Sequence, residues 1–359
     1  MFLKNENNYI VNMLKIIIMQ FLCKYLEMII IWYGNTKTYI NNNTDGNVTL
    51  DLNLKSDKAI LKKKNLILST IIRFSWDKIL PFMKSIIKIN NRNCDIVIFI
   101  REVSQRVKDN LKSFGVIVYE IQTKLKTAGH IFRQRWKLYS DFLNNNKDNY
   151  NLVLSIDLRD TIMQSEFFSL YDNYTNFLGF SYESANIDKL IAKNYIIDTF
   201  GYDIYKSIEN KRTINCGTVW GTVDCFLKFS NIAYNKLLKY FTIDQTIINY
   251  LIYYENILNN WTVIFSDEYG KVITLGLTGR NKINLDQKQN ILNFKGEIAS
   301  IVHQYDRYPD IKKIIRKKFC PELKYIKSIN NLFFMHELLI IILFFKMSFS
   351  CYKIKKCNK

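Results

Sequence analysis

The sequence is short of the residues that would make it a metal-scaffolded or disulfide-built protein. It has three histidines and seven cysteines, at 23, 94, 216, 225, 320, 351 and 357. The cysteines are odd in number and scattered, and no Cys-x-x-Cys pair occurs. That spacing excludes a disulfide framework and a structural zinc site, and leaves reduced, buried thiols in a cytosolic-type compartment as the expectation. No internal repeat is present, and no nucleic-acid-binding signature of fixed spacing. Acidic residues are also outnumbered: Lys+Arg is 51 against Asp+Glu 32, a formal charge of +19. Such a charge invites a nucleic-acid or anionic-membrane partner. Here the lysines are spread along the chain among abundant Asn, Ile and Tyr, the pattern an AT-rich genome supplies, so no nucleic-acid partner is expected.

A long uninterrupted apolar run is missing too. Tyr9–Tyr33 is broken by Lys15, Lys24 and Glu27, and each central charge costs about 2.5–3.5 kcal/mol on insertion. A spanning helix is disfavoured, and no small-residue cleavage site follows to make a signal peptide. An amphipathic helix, packed on the protein or lying on a membrane surface, fits better. Residues 36–64 are polar, Asn-rich and end in three lysines, which reads as a linker. Leu338–Tyr352 is apolar, interrupted by Lys346 and followed by Lys353, Lys355 and Lys356; a membrane-associated tail and a helix packed on a partner are both open. The expected location is cytoplasmic with peripheral membrane association, or membrane-anchored in the secretory pathway if the source is eukaryotic.

What is present is a substantial core: 48% hydrophobic and 14% aromatic residues exclude disorder. Apolar runs at Asn65–Ile72, Cys94–Ile100, Val116–Ile121, Asn151–Ile156 and Phe177–Tyr182 predict strands. Helical spacing at Trp76–Ile87, Ser104–Phe114, Gly129–Asn144, Asp188–Ile208 and Val223–Tyr240 predicts helices. Val263–Phe265 and Lys271–Leu275 read as short strands joined by a Gly-containing turn. The alternation predicts an α/β domain with a mostly parallel sheet. Three parts are expected: residues 1–64, an apolar helix and linker; 65–310, the main domain; and 311–359, a basic and apolar tail.

Within this frame the strand at Asn151–Ile156 breaks into Asp157-Leu-Arg159-Asp160. Carboxylates at the carboxyl end of a buried strand suit a divalent cation and, through it, a phosphate-bearing ligand. A capped turn, with Arg159 paired to either acid, explains the same residues. In the helix at 129–144, Arg133, Arg135 and Lys137 fall mainly off the apolar stripe; they read as a solvated basic face, or Arg135 reaches a diphosphate. Asn215-Cys-Gly217 suggests backbone that must approach something closely, or a β-bulge. Asp244-Gln245 begins or caps a helix. His303, in Ile301-Val-His303-Gln-Tyr-Asp-Arg307, is a structural histidine or a ligand.

Taken in order, these segments resemble a nucleotide-sugar-dependent glycosyltransferase of the GT-A fold, over about Asn65 to Arg307. The order is similar to that in the family 8, glycogenin-like enzymes. The Asp-x-Arg-Asp form and His-Gln-Tyr-Asp-Arg resemble more closely a further group of glycosyltransferase-like sequences. The resemblance implies a GT-A-like mostly parallel sheet flanked by helices, with helical N- and C-terminal extensions, and hexosyl-type transfer to a glycan, lipid or protein acceptor. It implies that Asp157, Asp160 and His303 hold Mn2+ or Mg2+ against the diphosphate. Asp157, Arg159, Arg135, Asn215 and Gly217 would bind the nucleotide sugar, and Asp244 and Gln245 would sit beside the anomeric carbon and the acceptor. Two departures stand out: the acids are separated by two residues instead of one, and the usual His-x-x-Gly-x-x-Lys ending is absent. A GT-A-like interaction protein without catalysis, and a basic nucleic-acid or anionic-membrane binder, are the competing classes.

Overall fold

The computed structural model describes residues 63–89, 93–122, 129–189, 191–240, 242–259 and 261–321. The apolar segments Tyr9–Tyr33 and Leu338–Tyr352, and the helical extensions expected there, lie outside the described residues. Among the described residues the order is β1 (Lys64–Ile72), α1 (Trp76–Ile89), β2 (Cys94–Arg101), α2 (Gln105–Ser113), β3 (Ile117–Glu120), α3 (Gly129–Asn146), β4 (Tyr150–Ile156) and β5 (Thr161–Met163). There follow β6 (Phe177–Asn186), α4 (Ile191–Phe200), α5 (Tyr202–Ile208), β7 (Arg212–Thr222), α6 (Val223–Lys239), α7 (Asp244–Tyr253), β8 (Thr262–Ser266), β9 (Val272–Thr274), β10 (Ile301–His303) and α8 (Pro309–Phe319).

Seven strands form one sheet in the order β3-β2-β1-β4-β7-β6-β8. Every neighbouring pair is parallel except β4–β7 and β7–β6, so β7 alone runs against the rest. This is a mixed α/β protein with a mostly parallel sheet flanked by helices, as the alternation of runs and stripes predicts. The apolar runs are uninterrupted because both faces are covered. Leu66, Leu68, Val97, Phe99 and Val153 face α3, α6 and α7, against Trp136, Tyr139, Phe226, Phe229 and Leu251. Their neighbours Ile67, Ile96, Ile98, Leu152 and Leu154 face α1 and α2, against Ile79, Phe82, Met83 and Leu111. Each such side chain, fully buried, contributes about 1.5–3 kcal/mol of transfer free energy, so losing either helical layer would expose half the sheet.

A second sheet, β5-β10-β9, sits over the carboxyl end of β4. Its apolar side packs with α8 through Ile162, Val302, Ile311 and Ile315. The Gly-containing turn after β8 joins two short strands, as expected from the sequence, and the two lie in different sheets. It carries the chain from the edge of the large sheet into the small one, with the Ser266 hydroxyl bonding both the amide and the carbonyl of Val272. The helix expected over Asp188–Ile208 is two helices, because Gly201 between them takes φ +93°, a conformation an L side chain rarely adopts. Among the described residues no helix is long and apolar enough to cross a membrane. Cys216, Cys225 and Cys320 are buried and Cys94 is half-buried.

Candidate active site

Asp157 is the first residue beyond β4, and its amide donates to the Gly217 carbonyl (2.9 Å). The chain then turns: the Thr161 hydroxyl donates to the Asp157 carbonyl (2.6 Å), and β5 begins. Because β5 pairs with β10 in the register His303↔Thr161, the histidine arrives beside Asp160. One ligand atom from each of Asp157, Asp160 and His303 lies within 4.8 Å of the others. Residues 146 positions apart in sequence thus meet because one strand pair brings them together.

The imidazole Nε2 stands 3.6 Å from Asp160 Oδ1 and 3.9 Å from Asp157 Oδ2. Both separations are longer than a good hydrogen bond. They are near those expected of ligands about 2.1 Å from a shared ion. The donor set, two carboxylates and one imidazole, suits a divalent ion such as Mn2+ or Mg2+. His303 Nδ1 is buried with no hydrogen-bond partner, so nothing in the described protein fixes the ring from behind. Burial works against charge on both partners. Even so, the facing Asp160 carboxylate keeps His303 above the usual imidazole range, and His303 with Arg159 (2.7 Å) keeps Asp160 below the usual carboxylate range. Without an ion, the imidazole and the two carboxylates face one another at ion-pair distance.

Gly217 makes the cluster sterically feasible. β7 loses register with β6 between Asn215 and Val219, and this bulge carries Gly217 under the site. A Cβ there would collide with the His303 ring and come 2.8 Å from Asp157 Oδ2. The two readings of Asn215-Cys-Gly217, a bulge and a close approach, are one feature. The Asn215 side chain holds the bulge, its oxygen accepting from the Gly217 amide (2.7 Å) and its Nδ2 donating to Glu183 Oε1 (2.9 Å).

Arg135 is not part of a solvated face. It is 4% exposed, and its guanidinium pairs with Asp157 Oδ1 (2.8 Å) and with Asp244, and donates to the Cys216 carbonyl (3.1 Å). Burial opposes the charge, but Asp244 and Asp157 together hold the guanidinium well above its ordinary value. Asp244 opens α7 and is buried. Its oxygens are taken by Arg135, the Trp136 indole N–H (3.3 Å), the Cys216 thiol (3.4 Å) and the Gln245 amide (3.0 Å). Burial, then Asp244, pushes the Cys216 thiol well up, so it stays protonated and donates. Thus Arg135 links Asp244 to Asp157 from inside the protein.

Gln245 does reach a ligand space. It lines a cleft of about 260 Å³ together with Glu183, Tyr195, Asn249, Gln304 and Arg307. Gln304, just after His303, is held in the left-handed region at φ +58°. Its side chain packs where a Cβ on Gly276 would be, and Arg307 comes back to within 3.6 Å of Asp160. Glu183 and Arg307 were not singled out as site residues in the sequence. The signal for Glu183 is an acid directly after the apolar run Phe177–Tyr182; for Arg307 it is only proximity to His303.

The chain matches no protein-family model and no curated protein in sequence. Among solved structures its backbone is similar to the apo form of the bifunctional glycosyltransferase WbbM, at 14% identity and TM-score 0.45, over 76% of this chain and 53% of that one. The chain thus spans about half the length of WbbM. It is also similar to a glycosyltransferase involved in glycosylation of the major capsid of PBCV-1, at 13% identity and TM-score 0.38, over 69% and 99%. A third is the galactosyltransferase LgtC in complex with donor and acceptor sugar analogues, at 12% identity and TM-score 0.43, over 70% and 95%.

Proposed function

We propose that this protein is a metal-assisted glycosyltransferase of GT-A type, moving a sugar from a nucleotide diphosphate to a hydroxyl acceptor. The observation that carries the reading is the convergence of Asp157, Asp160 and His303 at the carboxyl end of β4, beside a cleft able to hold a sugar. A divalent ion held by these three residues would offset the negative charge of a departing diphosphate. The protein's own part is orientation. Arg135 fixes Asp157 by binding one of its oxygens, leaving the other directed at the cluster. Gly217 lets the imidazole approach. Gln245 and Arg307 line the wall where a sugar would lie. Arg159, 37% exposed, covers Asp160 from the solvent side and is the cation best placed to meet a phosphate.

The test is calorimetric titration with UDP- and GDP-sugars, with and without Mn2+, on the wild type and on Asp157→Ala. Mn2+-dependent binding of a sugar nucleotide, lost in the variant while the protein stays folded, is the expected result. Equal binding by the variant, or no binding by the wild type, would reject the assignment. A basic nucleic-acid binder would instead bind polyanions with steep salt dependence and ignore sugar nucleotides.

A further inference from the structure

Glu183 is 7% exposed, on β6, and two side-chain amides converge on one of its oxygens. Asn215 Nδ2 donates to Oε1 at 2.9 Å and Gln245 Nε2 at 3.0 Å. Among the described residues no cation pairs with this carboxylate, and Oε2 has no hydrogen bond. The residue is not sealed in, because it lines the 260 Å³ cleft. Its Oε1 is tied through Asn215 to the Gly217 amide, which lies under the acid–histidine cluster. Glu183 therefore lies between the acid–histidine cluster and the cleft.

Withdrawing an ionised carboxylate from water is costly unless a counter-charge meets it, and two neutral donors on one oxygen recover only part of that cost. The cost turns into a benefit wherever positive charge develops in the cleft. Asp244 has no such use: it does not line the cleft, and Arg135, Trp136, Cys216 and the Gln245 amide already occupy its oxygens.

We infer that Glu183, and not Asp244, is the carboxylate that touches the reacting sugar and supports the positive charge at its anomeric carbon. The inference rests on the glycosyl-transfer reading above. In the transfer step the bond from the anomeric carbon to the diphosphate oxygen breaks, and its electron pair leaves on the diphosphate. The acceptor hydroxyl oxygen bonds to that carbon, and the hydroxyl proton passes to the departing diphosphate oxygen. Glu183 neither gains nor loses a proton in the step. Asn215 and Gln245 are positioning residues: by holding Oε1 they leave Oε2 to the cleft.

The experiment compares the wild type with Glu183→Gln and Glu183→Ala on UDP-glucose, UDP-galactose, UDP-N-acetylglucosamine and GDP-mannose with Mn2+. It reads nucleotide diphosphate release, and donor affinity by calorimetry. For whichever donor the wild type turns over, Glu183→Gln should lower kcat roughly 100- to 1000-fold, the usual scale for removing one electrostatic stabiliser, with donor Kd within about threefold. Formate should restore part of the rate to Glu183→Ala by placing a carboxylate in the vacated space. A purely structural Glu183 predicts the opposite, since the glutamine oxygen can still accept both amides: kcat within about threefold in Glu183→Gln would overturn the inference. A wild type inert toward all four donors would remove the glycosyl-transfer reading and this inference together. An active wild type with an equally active Glu183→Gln would remove this inference alone.

Discussion

Gly217 lies directly against the His303 imidazole, in space that a single methyl group would fill. The ring is 2% exposed and cannot retreat without leaving Asp160. Gly217→Ala should therefore push the imidazole off the two carboxylates, at about 1–3 kcal/mol of overpacking, and weaken Mn2+ binding at least tenfold. Gly296→Ala is the control: its φ of +80° makes the alanine strained, but open space surrounds it, so stability should fall with Mn2+ affinity unchanged. Calorimetry with Mn2+ and thermal melting decide the case, and unchanged Mn2+ binding in Gly217→Ala would separate the glycine from the site.

Arg135 supplies a second prediction, because it neutralises two acids at once. Arg135→Leu leaves Asp244 buried and uncompensated, and breaking such a pair costs about 3–5 kcal/mol. Asp244→Asn in the same background removes the stranded charge and should recover part of the loss. A double-mutant cycle by urea unfolding should show coupling of about 1–3 kcal/mol between the two positions. Additive effects would mean that the Arg135–Asp244 contact contributes no coupling to stability.

Much of this architecture could be read in the sequence, and the reason is physical. Strands buried on both faces must be apolar throughout, so β1, β2 and β4 announce themselves as uninterrupted runs. Asp157 and Asp160 are visible because a strand ending in acids is unusual. Arg135 is invisible by the same logic: in a helix carrying Arg133, Arg135 and Lys137, nothing local says which one turns inward, since that is decided by Asp244, more than a hundred residues away. The helix break at Gly201 and the passage from β8 to the small sheet depend on tertiary packing. Which carboxylate faces the cleft, Asp244 or Glu183, depends on how the β7 bulge aims Asn215.

Asn249 tests the support behind that bulge. Its side-chain oxygen accepts from the Ile214 amide and its Nδ2 donates to the Ile214 carbonyl, both at 2.9 Å. The side chain thus satisfies both backbone groups of a buried β7 residue as a neighbouring strand would. Asn249→Leu strands a buried donor and an acceptor, at about 1–3 kcal/mol each. Urea unfolding should register that loss. Mn2+ affinity should change by less than about threefold, since Gly217 and His303 are held by other contacts, and a larger drop would show that the Ile214 anchor also positions the metal ligands.

The pairing of His303 with Asp160 makes stability, and on the proposed reading Mn2+ binding, depend on pH. His303 is raised above its unfolded value near 6.5. Its contribution to stability is therefore fully present below that value and is lost as pH rises through the higher folded one. Asp160 is lowered below 3.8, so its contribution is present above 3.8 and is lost as pH falls through the folded value. The metal-free protein should accordingly lose stability from this pair as pH rises above about 6.5, and His303→Gln should flatten that limb. Metal binding runs the other way, because an imidazole must shed its proton to become a ligand. Mn2+ affinity should rise roughly tenfold per pH unit until His303 is deprotonated, and then level off. Titration of Mn2+ from pH 5.5 to 8.5 by calorimetry, alongside metal-free melting curves, measures both limbs; affinity independent of pH would take His303 out of the metal site.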